Sequence, residues 1–360
     1  MSTAPMVYVA GVGMITPVGV NTPMTAAAVK AGVSGYQVSS YYTENGQPIT
    51  MTAIPREVFR SGKFNIDEGD CYGDLYDHVI KMAILAIREA IADQPIKKPI
   101  PLILAMPEEV PGVEHTPLEL LINNLLNQKD LPLRADSVRC IPTGRAAGIH
   151  ALDWAFSHLY AKGEDYVLVG GSDCYQDYPR LRALEANQRV LATSVMDGFA
   201  PGEGAGFLLL TRYPQRALTS SNHIVGLCHP GRGDEPGHFT SNQPYRGDGL
   251  DQAFKVALND YNGEGIQAIY TSMNGENFWA KEYGVATLRN NSFLKDTVKI
   301  EHPADCYGDL GAATGPVLMG LAAYNLLKQS GAASHLVYSS SDGAARAAVR
   351  IEKLPRNART

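Results

Sequence analysis

No run of lysine and arginine appears anywhere in this 360-residue sequence, and its formal net charge is −6. That excludes the basic footprint of a nucleic-acid or anionic-membrane binder. Long apolar runs are missing too, so no segment is expected to span a bilayer. The opening MSTAPMVYVAGVGMITPVG has neither the basic start nor the unbroken apolar core of a signal peptide, and is expected to form a first strand and turn in a cytoplasmic protein. Cysteine is sparse: Cys71, Cys140, Cys174, Cys228 and Cys306 are odd in number and widely spaced. They make neither a disulfide framework nor a Cys-x-x-Cys metal site, so reduced thiols are expected, with no metal and no cofactor.

What is present is an ordinary globular composition, 45% hydrophobic and 19% charged, sufficient for a large core in one or two domains. One stretch organises it, Thr143 to Asp173. Ser137 to Ile141 reads as a strand, and Thr143-Gly-Arg-Ala-Ala-Gly148 as a small-residue turn. Ile149, Leu152, Ala155, Phe156 and Leu159 then recur at helical spacing. Lys162-Gly163 stops the helix, and Tyr166 to Val169 reads as a buried strand entering Gly170-Gly171. A turn of small residues at a helix N-terminus is a place to present a nucleophile, because the free N–H groups and macrodipole stabilise an anion.

Along the rest of the chain, Val7 to Ala10 reads as a short strand and Thr22 to Ala31 as a helix ending at Gly32. Gly11-Val-Gly13 is a lone Gly-x-Gly, with Pro17 interrupting any phosphate-binding helix start. Residues 36–70 read as polar and irregular, Asp74 to Ala92 as an amphipathic helix, Pro101 to Ala105 as a strand, and Leu118 to Leu126 as a helix. Residues 107–116 read as a solvated loop, Glu108 and Glu109 included. Cys174 to Thr193 reads as loop-rich. Asp197-Gly-Phe-Ala-Pro-Gly-Glu-Gly-Ala-Gly206 leads into a strand at Phe207 to Leu210, with Glu203 a structural hydrogen-bond acceptor. Residues 229–249 read as a surface or partner-facing loop, in which His229, His238, Asp234 and Glu235 match no common metal-ligand spacing.

The chain also repeats itself. Leu310 to Asp342 echoes Thr143 to Asp173: small-residue turn, apolar helix, break, strand, Gly/Ser cluster, Asp. Thr143 pairs with Leu310 and Gly148 with Gly315. Duplication of one α/β unit predicts mixed sheets sandwiching two buried helices.

Three strings carry a family resemblance. TGRAAGIHALDWAF resembles the active-site segment of β-ketoacyl synthases, T-A-C-x-S-G-x-x-A-[IL]. V-A-G-V-G-M-I-T-P-V-G, followed by a helix and A-G-V-S-G, is similar to their N-terminus, and D-G-F-x-x-G-E-G-A-G to a further segment. The resemblance implies the thiolase-like fold, an α/β protein of two similar halves (1–212 and 213–360) in five αβαβα layers, usually dimeric. It places Arg145 at the nucleophilic cysteine and Asn274, within Ile269 to Glu276, at the first catalytic histidine. It places Asp309, within Gly308 to Gly315, at the second, and Ala304 at a usual lysine. Arginine stays protonated and cannot be the nucleophile. Cys140 and Cys306 lie off the helix start and read as buried structural residues. A buried guanidinium needs an acid partner, so Arg145 is expected either to pair with Asp309 or to bind an anion in the former acyl channel.

The resemblance then implies a non-catalytic protein that works by binding. It would be an adaptor for a protein cargo such as a bacterial secretion-system effector, or the silent partner of an active condensing enzyme. It would be a homodimer or a heterodimer with a related synthase, with acyl carrier protein a further candidate partner. The alternative is an acyltransferase or hydrolase using other residues, for which Thr143, Thr271, Ser272 and Asn274 are the nearby polar groups.

Overall fold

A computed structural model describes residues 5–60, 74–109 and 118–356. Cys71, residues 61–70 of the stretch read as irregular, and residues 110–116 of the acidic loop lie outside the described residues. The first half of the chain forms β1 (Val7–Ile15), α1 (Thr22–Ala31), β2 (Tyr36–Tyr42), β3 (Pro48–Thr52), α2 (Glu57–Arg60), α3 (Asp74–Ile91), β4 (Ile100–Ala105), α4 (Leu118–Asn127), β5 (Leu133–Ile141), α5 (Ala147–Phe156), β6 (Val167–Cys174), α6 (Tyr178–Ala186) and β7 (Glu203–Thr211). The second forms β8 (His223–Leu227), β9 (Gly231–Asp234), α7 (Asp248–Leu258), β10 (Ile266–Tyr270), α8 (Asn277–Arg289), β11 (Leu294–Glu301), α9 (Ala304–Tyr307), α10 (Thr314–Lys328), β12 (Ser334–Ser340) and β13 (Ala345–Pro355).

The duplication is visible in the strand order, β11-β10-β12-β13-β8-β1-β7-β6-β4-β5. Read from its two ends the path is the same. β4 runs parallel to β5 and β6, as β10 does to β11 and β12; β7 is antiparallel to β6 and β1, as β13 is to β12 and β8. The halves meet at a two-residue ladder, Val7 opposite Leu227 and Tyr8 opposite Gly226.

Side-chain alternation along the strands builds the five layers. Leu208 and Leu210 of β7 and Val337 of β12 turn inward, onto a central cluster shared with Ile149, Leu152 and Phe156 of α5 and Val317, Leu321 and Leu326 of α10. Phe207 and Leu209 turn outward, onto Met82, Ala86 and Ala90 of α3. Leu336 and Tyr338 turn outward on the other side, onto Leu250 and Phe254 of α7. The order is helix, sheet, helix, sheet, helix. No helix among the described residues is long and apolar enough to cross a membrane.

Several local expectations need correction. The first strand runs to Ile15, straight through Gly11-Val-Gly13. A β-carbon at Gly11 would sit 1.8 Å from the Ala90 carbonyl oxygen, and one at Gly13 1.9 Å from that of Ala86, so this Gly-x-Gly is the seat of α3. The device recurs: β-carbons at Gly231 and Gly233 of β9 would each meet a carbonyl of α7, of Ala253 and Gly249, at 2.0 Å. Residues 229–249 therefore include a packed strand as well as loop, and Glu235, fully buried, accepts from the N–H of Gly249 at 3.0 Å. The segment read as irregular contains the β2–β3 hairpin, and Cys174 to Thr193 contains α6, whose N-terminus is capped by Asp177 with Pro179 in its first turn. β6 continues through Gly170-Gly171 because a β-carbon at Gly170 would lie 2.2 Å from the Phe207 ring.

Substituting Gly13→Ala is expected to cost about 3 kcal/mol, since the obstructing atom is helix backbone and cannot swing aside. Urea unfolding of the variant beside the parent checks it, and an unchanged midpoint would contradict the seat.

Candidate functional site

The site grows from the two repeated turns. Thr143 and Leu310 have nearly the same backbone angles (φ −117°, ψ 29° and φ −99°, ψ 13°), and Ala146 and Ala313 share φ −77°, ψ −13°. Between them Gly144 (φ +59°) and Gly311 (φ +54°) take the left-handed conformation that admits glycine without strain. A β-carbon on Gly148 would lie 2.3 Å from Pro316, so the two helix starts abut. Side chains from both turns consequently face one point.

Arg145 fills that point, 3% exposed. Its Nη1 donates to Asp309 Oδ2 at 2.7 Å, its Nε to the Ser340 carbonyl at 2.9 Å, and its Nη2 to Asp342 Oδ1. The guanidinium lies 4.6 Å from the centre of the Trp279 ring. A second arginine doubles the arrangement. Arg189 donates in a fork to Glu276 at 2.7 and 2.8 Å and reaches Asp342 Oδ2 at 2.6 Å, with Phe239 stacked 4.0 Å away. Asn274 ties the two ends together, its Nδ2 donating to Asp309 at 2.9 Å and to Glu276 at 3.1 Å. The Gly311 N–H donates to Asp309 at 2.8 Å. Two guanidiniums thus face three carboxylates. Both cations come from the first half of the chain and all three carboxylates from the second.

The three residues placed by resemblance, Arg145, Asn274 and Asp309, converge as expected, and of the two roles offered for Arg145 the ion pair is the one formed. A cation at the start of α5 is disfavoured by the macrodipole and by desolvation, and the carboxylates offset both. Burial lowers the Arg145 pKa, but Asp342 and Asp309 outweigh it and hold the group charged. An added anion would meet a network that already carries one excess negative charge.

A cavity of about 490 Å³ lies over the network, bordered by Glu108, Glu109, Arg145, Tyr175, Arg180 and Asp342 among others. Its wall mixes these charged groups with apolar ones, Leu184 and Phe239 among them. Glu108 corrects the solvated-loop reading: its carboxylate accepts from the N–H groups of Asp342 and Gly343, both at 2.9 Å, and fixes the loop that carries Asp342. Arg180 is paired to Asp173 at 2.8 Å, and the Asp173 carboxylate also caps Ala312 at 2.8 Å.

The remaining polar candidates are occupied. Ser272 Oγ accepts from the Ser340 N–H at 2.9 Å. Thr143 Oγ1 lies 3.1 Å from His150 Nδ1 and Thr271 Oγ1 3.2 Å from His302 Nδ1, but neither threonine borders the cavity. Burial pushes the thiols of Cys140, Cys174 and Cys306 up, and that of Cys228 up to about 12, so none of these four favours a thiolate. Cys306 is buried as expected, whereas Cys140 is only half-buried. Glu203, fully buried, accepts from the Ile54 N–H at 2.8 Å and contacts His78 and Cys174, each at 3.2 Å. Arg189, Glu276, Glu108 and Trp279 were not singled out from sequence for the site. Glu276 and Trp279 stand two and five residues past Asn274, the one signal that marked them.

Comparison with known proteins bears on the fold. Residues 131–216 match the family model "Beta-ketoacyl synthase, N-terminal domain". Among solved structures, the ishigamide ketosynthase/chain length factor is similar with a TM-score of 0.71 at 18% identity, over 97% of this chain and 99% of that one. The ketosynthase ApeO in complex with its chain length factor ApeC, from Xenorhabdus doucetiae, gives 0.68 at 16% over 96% and 98%. The ketosynthase from module 6 of the bacillaene synthase of Bacillus subtilis 168 gives 0.73 at 13% over 96% and 72%. No curated protein sequence matches significantly. At these identities the likeness establishes the fold.

Two outcomes are expected of the network. Arg145→Met leaves buried Asp309 without its cation and Asp342 with Arg189 alone, and costs about 3–5 kcal/mol in chemical unfolding. Asp342 supplies the second. Burial pushes its carboxyl up, but the Arg145 and Arg189 guanidiniums outweigh burial and hold it well below the usual carboxylate range. A carboxyl depressed in the folded state stabilises fully above its unfolded value, about 3.9, and loses that contribution as pH falls through the depressed one. Asp342→Asn should therefore flatten the fall in stability below about pH 4, read from urea midpoints across an acid series.

Proposed function

We propose that this ketosynthase-like protein of the thiolase superfamily acts by binding another protein and does not condense acyl thioesters. The observation that carries the reading is Arg145. The position that resembles the family's nucleophile holds a buried guanidinium, bound by Asp309 and Asp342 where a substrate carbonyl would have to approach. The two positions that resemble the catalytic histidines hold Asn274 and Asp309, both committed to the same network. An acyl-enzyme needs an activated nucleophile and donors for the developing oxyanion. Here the space is taken by charge already paired.

Two kinds of partner follow. As an adaptor, the protein would use the fold as a rigid platform for a protein cargo such as a secretion-system effector. The filled position of the family's nucleophile supports this, because Arg145 is held there by Asp309 and Asp342 and no acyl group needs the site. As a silent subunit, it would pair with an active condensing enzyme and meet an acyl carrier protein. The likeness to solved ketosynthase and chain length factor structures supports that reading. The adaptor is the reading we favour.

Tagged protein recovered from its own cells, with its companions identified by mass spectrometry, separates the two. Recovery of an effector or secretion component supports the adaptor. Recovery of a condensing enzyme supports the silent subunit. The chain returned alone with a covalent acyl mass sinks the binding reading altogether. Arg145→Cys is further expected to gain no acyl-enzyme when incubated with an acyl thioester, since Asp309 and Asp342 oppose a thiolate there. Intact-mass measurement checks it.

A further inference from the structure

A second cavity, of about 370 Å³, shares no lining residue with the first. It lies against the inner face of β10–β12, under α1 and the end of α10. Strand register explains it. Lys299 of β11, Ala268 of β10 and His335 of β12 stand in one row across three parallel strands, with Glu301 and Tyr270 in the next row on the same face. Ala268, small and central, leaves the space that a larger residue would fill. Tyr270, Asn325, Tyr324, Lys30 and Lys328 complete the wall.

His335 distinguishes this cavity from a packing gap. The side chain is 1% exposed, and neither ring nitrogen has a hydrogen-bond partner. Burying an imidazole with both nitrogens unsatisfied is unfavourable, and a core position is better served by an apolar ring. Burial and the Lys299 ammonium lower its pKa to about 4, so at neutral pH the ring offers one donor and one acceptor. Nearby, Asn325 Nδ2 donates to Tyr270 OH at 3.0 Å.

The rim is cationic. Lys30, Lys299 and Lys328 border the opening against one carboxylate, Glu301, which pairs with Lys299 at 2.6 Å. Lys30 and Lys328 end their helices, where the macrodipole favours a cation, and neither has a carboxylate partner among the described residues. A pocket of this size, with Ala26, Val29 and Ala268 among apolar lining residues and polar side chains around them, has the dimensions of a small-molecule site.

We propose that this cavity binds a small organic anion, with its carboxylate or phosphate at the Lys30–Lys328 rim and a hydrogen-bonding ring or body against His335 and Tyr270. The site is independent of the protein-binding function and stands or falls separately from it.

Titration calorimetry and ligand-observed NMR on the full chain test it with four probes of like size: 4-hydroxybenzoate, phenyl phosphate, benzyl alcohol and benzylamine. The two anions are expected to bind about tenfold or more tightly than the alcohol and the amine. His335→Phe should abolish anion binding while melting no lower than the parent, because it removes two unsatisfied nitrogens. Lys30→Gln and Lys328→Gln, both at exposed positions, should each weaken binding about threefold or more. The proposal is overturned if neither anion binds at millimolar concentration, or if affinity ignores probe charge. It is equally overturned if binding survives in both the His335→Phe and the two lysine variants.

Discussion

The arrangement at the centre of the molecule depends on the pairing of Arg145 with Asp309 and Asp342. The backbone there is a tight turn, with Gly144 left-handed, that sets Arg145 just before the start of α5. A guanidinium in that place is tenable only with acids on more than one side, and the second half of the chain supplies them at Asp309, at Asp342 and, through Arg189, at Glu276. Other features near the site answer to the same need. Glu108 fixes the Asp342 loop through two backbone N–H groups, and Asn274 spans Asp309 and Glu276. In low dielectric a partly satisfied network of this kind would be worse than an apolar core, so its completeness is what lets it persist.

The fold was legible in the sequence where backbone and periodicity carry it. The helix at Thr22–Ala31, the amphipathic helix from Asp74, the Thr143 turn and its echo at Leu310 all follow from spacing and small residues, and the duplicated strand order follows from the echo. The failures have a shared cause. Gly11-Val-Gly13 and Gly170-Gly171 look like punctuation, but in a layered fold they are places where a helix or an aromatic ring rests on a strand, and only the tertiary neighbour shows that. The β2–β3 hairpin and α6 lack strong periodicity because they pack on each other through a small satellite cluster around Ile49, Met51 and Leu181.

The site was half legible. Arg145, Asn274 and Asp309 were found because each sits in a string with a family resemblance. Arg189 and Glu108 belong to no string, and Glu276 only ends the one that carries Asn274; their role arises from long-range closure: 87 residues separate Arg189 from Glu276 and 234 separate Glu108 from Asp342. A surface-looking acid such as Glu108 acquires a purpose only when the chain returns to it.

One feature of the network bears on how such a chain assembles. Its cations both come from the first half and its carboxylates all from the second, across a boundary where the two halves' strands β1 and β8 pair over two residues and α5 packs on α10. Duplicated units carry a standing hazard, because each can adopt its sibling's place in another copy and build a wrong but similar interface. Here such an exchange would set guanidinium against guanidinium or carboxylate against carboxylate in a buried space. The charge segregation therefore makes each half the electrostatic complement of the other and of no copy of itself.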